Sequence, residues 1–249
     1  MKTPSISILG NGNIAYLFSS RLLNSGIVIN SVSTRNKAKG SLLAKKLNCK
    51  FETINEISGE LILICVNDDS VIEIINNLPS NKMIAYCSAI IDLNEITHPN
   101  CGVFYPLQTV TSKLDNSNLK FPILIESKTT ELKSILCEIG EKISAKVEYI
   151  KSDERIKIHL IATFLNNFSN HLIYIGQKYA VDQKIPLNIF NDLIQETFNK
   201  INSISAYNAQ TGPAKRNDLN TIEKHLDLLP DELKNLYTEI SKSINKTYN

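Results

Sequence analysis

The sequence contains no apolar run near the ~18 residues that cross a bilayer, so no membrane span is expected. It also has no marked excess of charge. Lys and Arg number 27 against 25 Asp and Glu, a formal net charge of +2, which gives no electrostatic footprint for nucleic acid or an acidic surface. The opening stretch MKTPSISILG has one lysine and no long apolar core, so a secretory leader is not expected there. The five cysteines (Cys49, Cys65, Cys87, Cys101, Cys137) are odd in number and widely spaced, and none has C-x-x-C spacing. That pattern predicts neither a disulfide framework nor a metal site; it predicts small core thiols in a reducing, cytoplasmic compartment. There is no internal repeat and no low-complexity tract. What remains is a chain of 249 residues, 43% hydrophobic and 21% charged, an ordinary globular composition with length enough for two modest domains.

The first part of the chain alternates strands and helices. SISIL (5–9) reads as a strand ending at Gly10, and residues 13–25 place Ile14, Leu17, Phe18 and Leu22 on one helical face. VINSVS (28–33) is a second strand, followed by a lysine-rich helix over 36–48. LILICV (61–66) is apolar without alternation, the pattern of a parallel strand covered on both faces. Asn67-Asp68-Asp69 then offers an N-cap for a helix to about residue 77. MIAYC (83–87), GVFYP (102–106), FPILIE (121–126) and AKVEYI (145–150) are further strands, the last two joined by a helix ending near 143. From Asp153 onward only helical patterns occur, the first running to about residue 180. NAQTGPAKRND (208–218) is a turn-rich break, and two helices separated near Pro230 close the chain. The expected architecture is α/β, with a Rossmann-type, mostly parallel, doubly wound sheet in a domain over 1–150 and an all-α C-terminal domain over 151–249.

The turn Gly10-Asn11-Gly12-Asn13-Ile14-Ala15 follows the first strand and opens the first helix. In a dinucleotide-binding turn the first glycine permits the sharp bend and the second lets backbone approach a pyrophosphate. The third position needs only a small side chain, and Ala15 suffices. The helix N-terminus offers free N–H groups to the phosphates. NAD-binding versions carry an acidic residue about 20 residues on, against the ribose 2′-hydroxyl. Here Ser33-Thr34-Arg35 stands at the end of the second strand, and no Asp or Glu occurs from Gly26 to Phe51. Arg35 can stack on adenine and pair with a 2′-phosphate, with Ser33 or Thr34 as hydrogen-bond partners, so NADP is favoured over NAD.

Five stretches carry a resemblance: GNGNIA, GVFYPLQT (102–109), HLIATFLNNFSNHL (159–172), LIQET (193–197) and AQTGPAKRND (209–218). The chain resembles the bacterial Rossmann-like proteins with a C-terminal domain of unknown function. These are members of the 6-phosphogluconate dehydrogenase-like group that includes pyrroline-5-carboxylate reductase, ketopantoate reductase and prephenate dehydrogenase. The resemblance implies an NAD(P)-binding N-terminal domain and a helical domain that closes the cleft and forms a homodimer. One departure stands out. Relatives carry a His-x-Ser-Gly run where this chain has Tyr86-Cys87-Ser88-Ala89, which retains only the serine.

Ligands of open α/β sheets bind outside the carboxyl ends of the strands. That places Val66, Asn67 and Asp68 beside the cofactor with Gly10, Asn11, Gly12, Asn13 and Ile14, and puts Ser88, Tyr105 and Gln108 near the substrate. On the first helix of the second domain His159, Thr163, Asn166 and Asn170 are spaced i, i+4, i+7 and i+11 and share a face, with Asn167 and His171 beside it. One reading is a polar network stabilising a bundle or dimer seam. The other is a hydride-transfer site for a small carbonyl, imine or hydroxy-acid substrate, with His159 as proton donor or acceptor and Asn166 orienting the substrate. Arg216, in the turn-rich break, is a candidate for a substrate carboxylate, or else part of a capped loop. The competing function is a non-catalytic NADP-binding sensor or scaffold. It is kept open by the missing histidine after strand 83–87 and by the lack of a Lys-x-x-x-Asn motif on the first C-terminal helix.

Overall fold

The computed structural model describes residues 3–111, 119–144 and 146–249. Strands β1 (Ile6–Leu9), β2 (Ile29–Ser33), β3 (Lys50–Phe51), β4 (Leu61–Ile64), β5 (Met83–Tyr86), β6 (Cys101–Pro106), β7 (Pro122–Ser127) and β8 (Lys146–Tyr149) form one sheet in the order β3-β2-β1-β4-β5-β6-β7-β8. Neighbours are parallel except β6 and β7, which pair antiparallel with Val103 opposite Glu126 and Tyr105 opposite Leu124. The carboxyl ends of β1 to β6 therefore share one edge of the sheet, and those of β7 and β8 lie at the other.

Both faces of the sheet are covered, which is why its strands read as continuous apolar runs. One face carries Ile6, Ile8, Val32, Leu63, Phe104 and Ile123 against helices α1 (Asn13–Asn24) and α2 (Lys37–Lys46). The other carries Leu9, Ile62, Ile64, Ile84, Tyr86 and Val103 against α3 (Val71–Asn76) and the segment holding Ile91, Leu93 and Ile96. Helix α4 (Thr130–Ile143) joins the first face through Leu132, Ile135, Leu136, Ile139 and Ile143, an i, i+3, i+4, i+7 stripe. Its N-cap is the Thr129 hydroxyl, which accepts from the Leu132 amide at 3.2 Å. Helix α1 ends where Gly26 takes φ +71°, the left-handed conformation that suits glycine.

After Tyr149 every element is helical. Helix α5 (Ser152–Ala162), a π-helical segment (Thr163–Phe168) and α6 (Ser169–Asp182) follow without a break. Then come α7 (Asn191–Ile204), the single turn α8 (Ala206–Ala209), α9 (Leu219–Leu228) and α10 (Asp231–Tyr248). The chain divides into two compact units, Met1–Asn170 and His171–Asn249. Helix α5 belongs with the sheet because Arg155 and Ser152 are hydrogen-bonded into it. In the second unit Ala180 and Ala214 are the buried apolar residues among those described, while Leu193 is 65% exposed and Phe198, Ile201, Ile204 and Tyr207 are also open. Among the described residues no helix is long and apolar enough to cross a membrane, and no group of three or more His, Cys, Asp or Glu residues is placed to hold a metal ion.

Candidate functional site

Strand β1 is flanked by β2 on one side and β4 on the other, so the strand order reverses at its carboxyl end. The glycine turn stands at this point. Gly10 has φ +130° and its amide donates to the Ser33 carbonyl at 2.8 Å. A Cβ on Gly10 would lie 2.2 Å from the Cys65 carbonyl oxygen, so only glycine lets β1 turn this close to the end of β4. Gly12 is the N-cap of α1, and a Cβ there would meet nothing within 4 Å. Ala15 is fully buried at the third position, while Asn11 and Ile14 are half-buried. A bend, an open backbone approach and a helix N-terminus without acidic residues in its first turn fit the pyrophosphate of a dinucleotide.

At the end of β2, Ser33 is buried and Thr34 half-buried, while Arg35 is exposed with no ion pair among the described residues. Asn36 caps α2, its side-chain oxygen accepting from the Lys39 amide at 3.0 Å. After β4, Val66 and Asp68 are half-buried and Asn67 is exposed at the N-cap of a short 3-10 turn, Asp68–Ser70.

A cavity of about 370 Å³ opens within the first unit, lined by Tyr105, Leu107, Gln108, Thr109, His159, Ala162, Thr163, Leu165, Asn166 and Asn167. Tyr105 to Thr109 come from the carboxyl end of β6, the edge that also carries the glycine turn. The two are tied directly: Asn13, the first residue of α1, donates its side-chain amide to the Val110 carbonyl at 2.9 Å. The Gln108 side-chain oxygen Oε1 accepts from the Thr109 amide at 2.9 Å, which folds that side chain back on its own loop.

The facing wall is α5 and the π segment. Tyr105 Oη and His159 Nδ1 are 3.1 Å apart, with the rings edge to face at 6.2 Å. Burial, reinforced by the Asp68 carboxylate, pushes the Tyr105 phenol above its ordinary range, so it remains protonated. One turn earlier on α5, Arg155 is 1% exposed and donates from Nη1 to Glu126 Oε2 at 2.7 Å. Its Nε and Nη2 reach the Ala89 and Ile91 carbonyls at 3.2 and 2.5 Å. The Ser152 hydroxyl donates to the same Glu126 oxygen at 2.6 Å and accepts from the Leu93 amide at 3.0 Å. The two pairs form successive rungs. Glu126 lies opposite Val103, and two residues along β6, about 6.6 Å, is Tyr105. Four residues along α5, about 6 Å, separate Arg155 from His159. Arg155 thus fixes both the 89–91 loop and the phase of the helix that carries His159.

The cavity lining departs from the expected stripe at Asn170. From the π segment, Thr163, Asn166 and Asn167 line the cavity, and Asn170 is exposed outside the lining. The Thr163 hydroxyl donates to the His159 carbonyl at 3.0 Å. Ser88 is buried, its Oγ accepting from the Ile90 and Ile91 amides at 3.2 and 3.3 Å, so it shapes the turn after β5. Tyr86, at the position where the resemblance leads one to expect histidine, is buried and donates to the Ile91 carbonyl at 3.1 Å. Arg216 is exposed in the second unit, beside Asp218, which caps α9 by accepting from the Thr221 amide at 3.1 Å. The residues not anticipated from sequence are Arg155, Glu126 and Ser152. A charged residue in the first turn of a helix ordinarily reads as solvated.

Sheet order, glycine turn and cavity define the Rossmann class of nucleotide-binding architecture. Residues 121–244 match the family model described as a domain of unknown function, DUF2520. The C-terminal part of the chain thus matches this family, and the part before it has the Rossmann-like fold. Among solved structures it is similar to BF3122 from Bacteroides fragilis, whose description proposes an NADP oxidoreductase. The two are 29% identical over 98% of both chains, with a TM-score of 0.89. It is similar to protein TM1727 from Thermotoga maritima at 20% identity over 97% of both chains, with a TM-score of 0.71. An imine reductase from Myxococcus stipitatus in complex with NADP+ shares the fold at 14% identity, covering 98% of this chain and 92% of that one, with a TM-score of 0.68. No curated protein sequence matches the chain significantly.

Proposed function

We propose that the protein is a cytoplasmic, NADP-dependent oxidoreductase acting on a small carbonyl, imine or hydroxy-acid substrate. The observation that carries this reading is the Asn13–Val110 hydrogen bond, which joins the helix opened by the glycine turn to the loop lining the cavity. Gly10, Asn11, Gly12, Asn13 and Ile14 would hold the pyrophosphate, Ser33, Thr34 and Arg35 the 2′-phosphate, and Val66, Asn67 and Asp68 the adjoining backbone of the cofactor. The nicotinamide supplies the hydride equivalent; the chain supplies position and a proton. His159 gives or takes that proton, Asn166 orients the reacting group, and Thr163, Asn167, Gln108 and Tyr105 line the substrate's place. Similarity to BF3122, described as above, supports the same assignment.

In this reading residues 1–150 bind the cofactor, and residues 151–249 complete the site and pair two copies into a homodimer. Support for pairing comes from Leu193, Phe198, Ile201, Ile204 and Tyr207, more apolar surface than a stable monomer usually leaves in water. Light scattering at micromolar concentration should give twice the chain mass, and a monomer there would refute the pairing. The cofactor is tested by following NADPH fluorescence as protein is added, with NADH in parallel. Saturable binding with NADPH tighter is expected; no binding of either ends the proposal. Consumption of NADPH across a panel of ketones, cyclic imines and 2-keto acids then identifies the substrate class.

A further inference from the structure

We propose that Tyr105 is the positioning residue of His159: its hydroxyl serves Nδ1 in both protonation states of the ring and leaves Nε2 for a ligand. This rests on the reading of His159 as the proton-transfer group. A carboxylate or carbonyl at Nδ1 can only accept, which fixes a proton on Nδ1. A phenol both donates and accepts. An imidazole nitrogen is a far better acceptor than a phenol oxygen, so the neutral ring accepts from Tyr105 at Nδ1 and carries its own proton on Nε2. The protonated ring donates from Nδ1 to Oη instead.

The geometry supports this role. Oη and Nδ1 are 3.1 Å apart, the edge-to-face contact limits rotation of the imidazole, and both residues line the cavity. Nε2 has no protein partner among the described residues. Below the pair, the Arg155–Glu126 rung fixes α5 against β7, which pairs with β6, so Tyr105 meets a ring already set in height. In the transfer itself the Nε2–H bond of the protonated ring breaks and an O–H or N–H bond forms on the ligand. The ring becomes neutral while Nδ1 keeps its proton toward Oη. A proton from solvent, passed through water to the vacated Nε2, makes the ring doubly protonated again for the next cycle.

The test needs no substrate. Imidazole nitrogen spectra of 15N-labelled protein distinguish the two neutral tautomers. The four histidines His98, His159, His171 and His225 are few enough to assign by loss of one set in His159→Asn. At pH ~9, above the ordinary imidazole range, His159 should be a single Nε2–H tautomer in the unaltered protein. Tyr105→Phe should turn it into a mixture. An Nδ1–H tautomer in the unaltered protein overturns the proposal whatever the variant does, so a variant that fails to fold does not rescue it. An unchanged nitrogen pattern in a folded Tyr105→Phe protein overturns it as well. Failure of the oxidoreductase reading has a different signature: no NADPH binding in the titration, with the histidine spectra as expected.

Discussion

Arg155 and Glu126 form a largely buried ion pair of 2.7 Å that stands one helical turn before His159. Removing one partner leaves the other charge buried and frees the Ala89 and Ile91 carbonyls. Arg155→Met should therefore cost about 3–5 kcal/mol of stability, read as a lower midpoint in urea denaturation. Arg155→Met combined with Glu126→Leu should recover part of that loss, because no lone charge remains.

The two glycines of the turn should separate architecture from binding. Gly10→Ala puts a Cβ 2.2 Å from the Cys65 carbonyl oxygen at φ +130°, and should cost about 1–3 kcal/mol in thermal or chemical denaturation. Gly12→Ala enters open space and should change stability by about 1 kcal/mol or less. It should nonetheless weaken NADPH binding, since its methyl occupies the backbone approach a pyrophosphate needs. Equal NADPH affinity in Gly12→Ala and the unaltered protein would place the cofactor elsewhere.

Arg35→Asp should weaken NADPH by roughly 1.5–3 kcal/mol, the worth of a charge-assisted hydrogen bond, and leave NADH binding equal or stronger. Calorimetric titration with both nucleotides measures the difference. Parallel losses for the two would show that Arg35 does not read the 2′-phosphate.

His159→Asn should leave the melting temperature and NADPH affinity nearly intact. Once a substrate is in hand, turnover should fall by about 10²-fold or more, the usual scale for a lost general acid. A clear drop in melting temperature with turnover preserved would instead mark His159 as a structural partner of Tyr105.

Much of the sheet is readable from the chain alone, because strands buried on two faces leave apolar runs such as LILICV that solvent-facing elements do not. The long helix after residue 152 is legible from its helical periodicity, and the break near Pro230 from proline itself. Strand β3 is not: Lys50–Phe51 is two residues long, too short to show a period. The π segment is invisible as well, since it is a change in hydrogen-bond partner that no residue type in TFLNNF demands. Arg155 escaped notice because its partners Glu126, Ala89 and Ile91 are distant in sequence, and only the folded sheet brings them to one point.

The antiparallel step from β6 to β7 decides which way α5 points. With β7 reversed and β8 parallel to it, the chain leaves the sheet at the edge opposite the glycine turn, and α5 climbs back toward Tyr105. A sixth parallel strand followed directly by this helix would present it upside down. The segment β7–α4–β8 thus behaves as one interchangeable cassette: a chimaera that keeps α5 must import all of it, and one that splits it inverts the helix and parts His159 from its tyrosine.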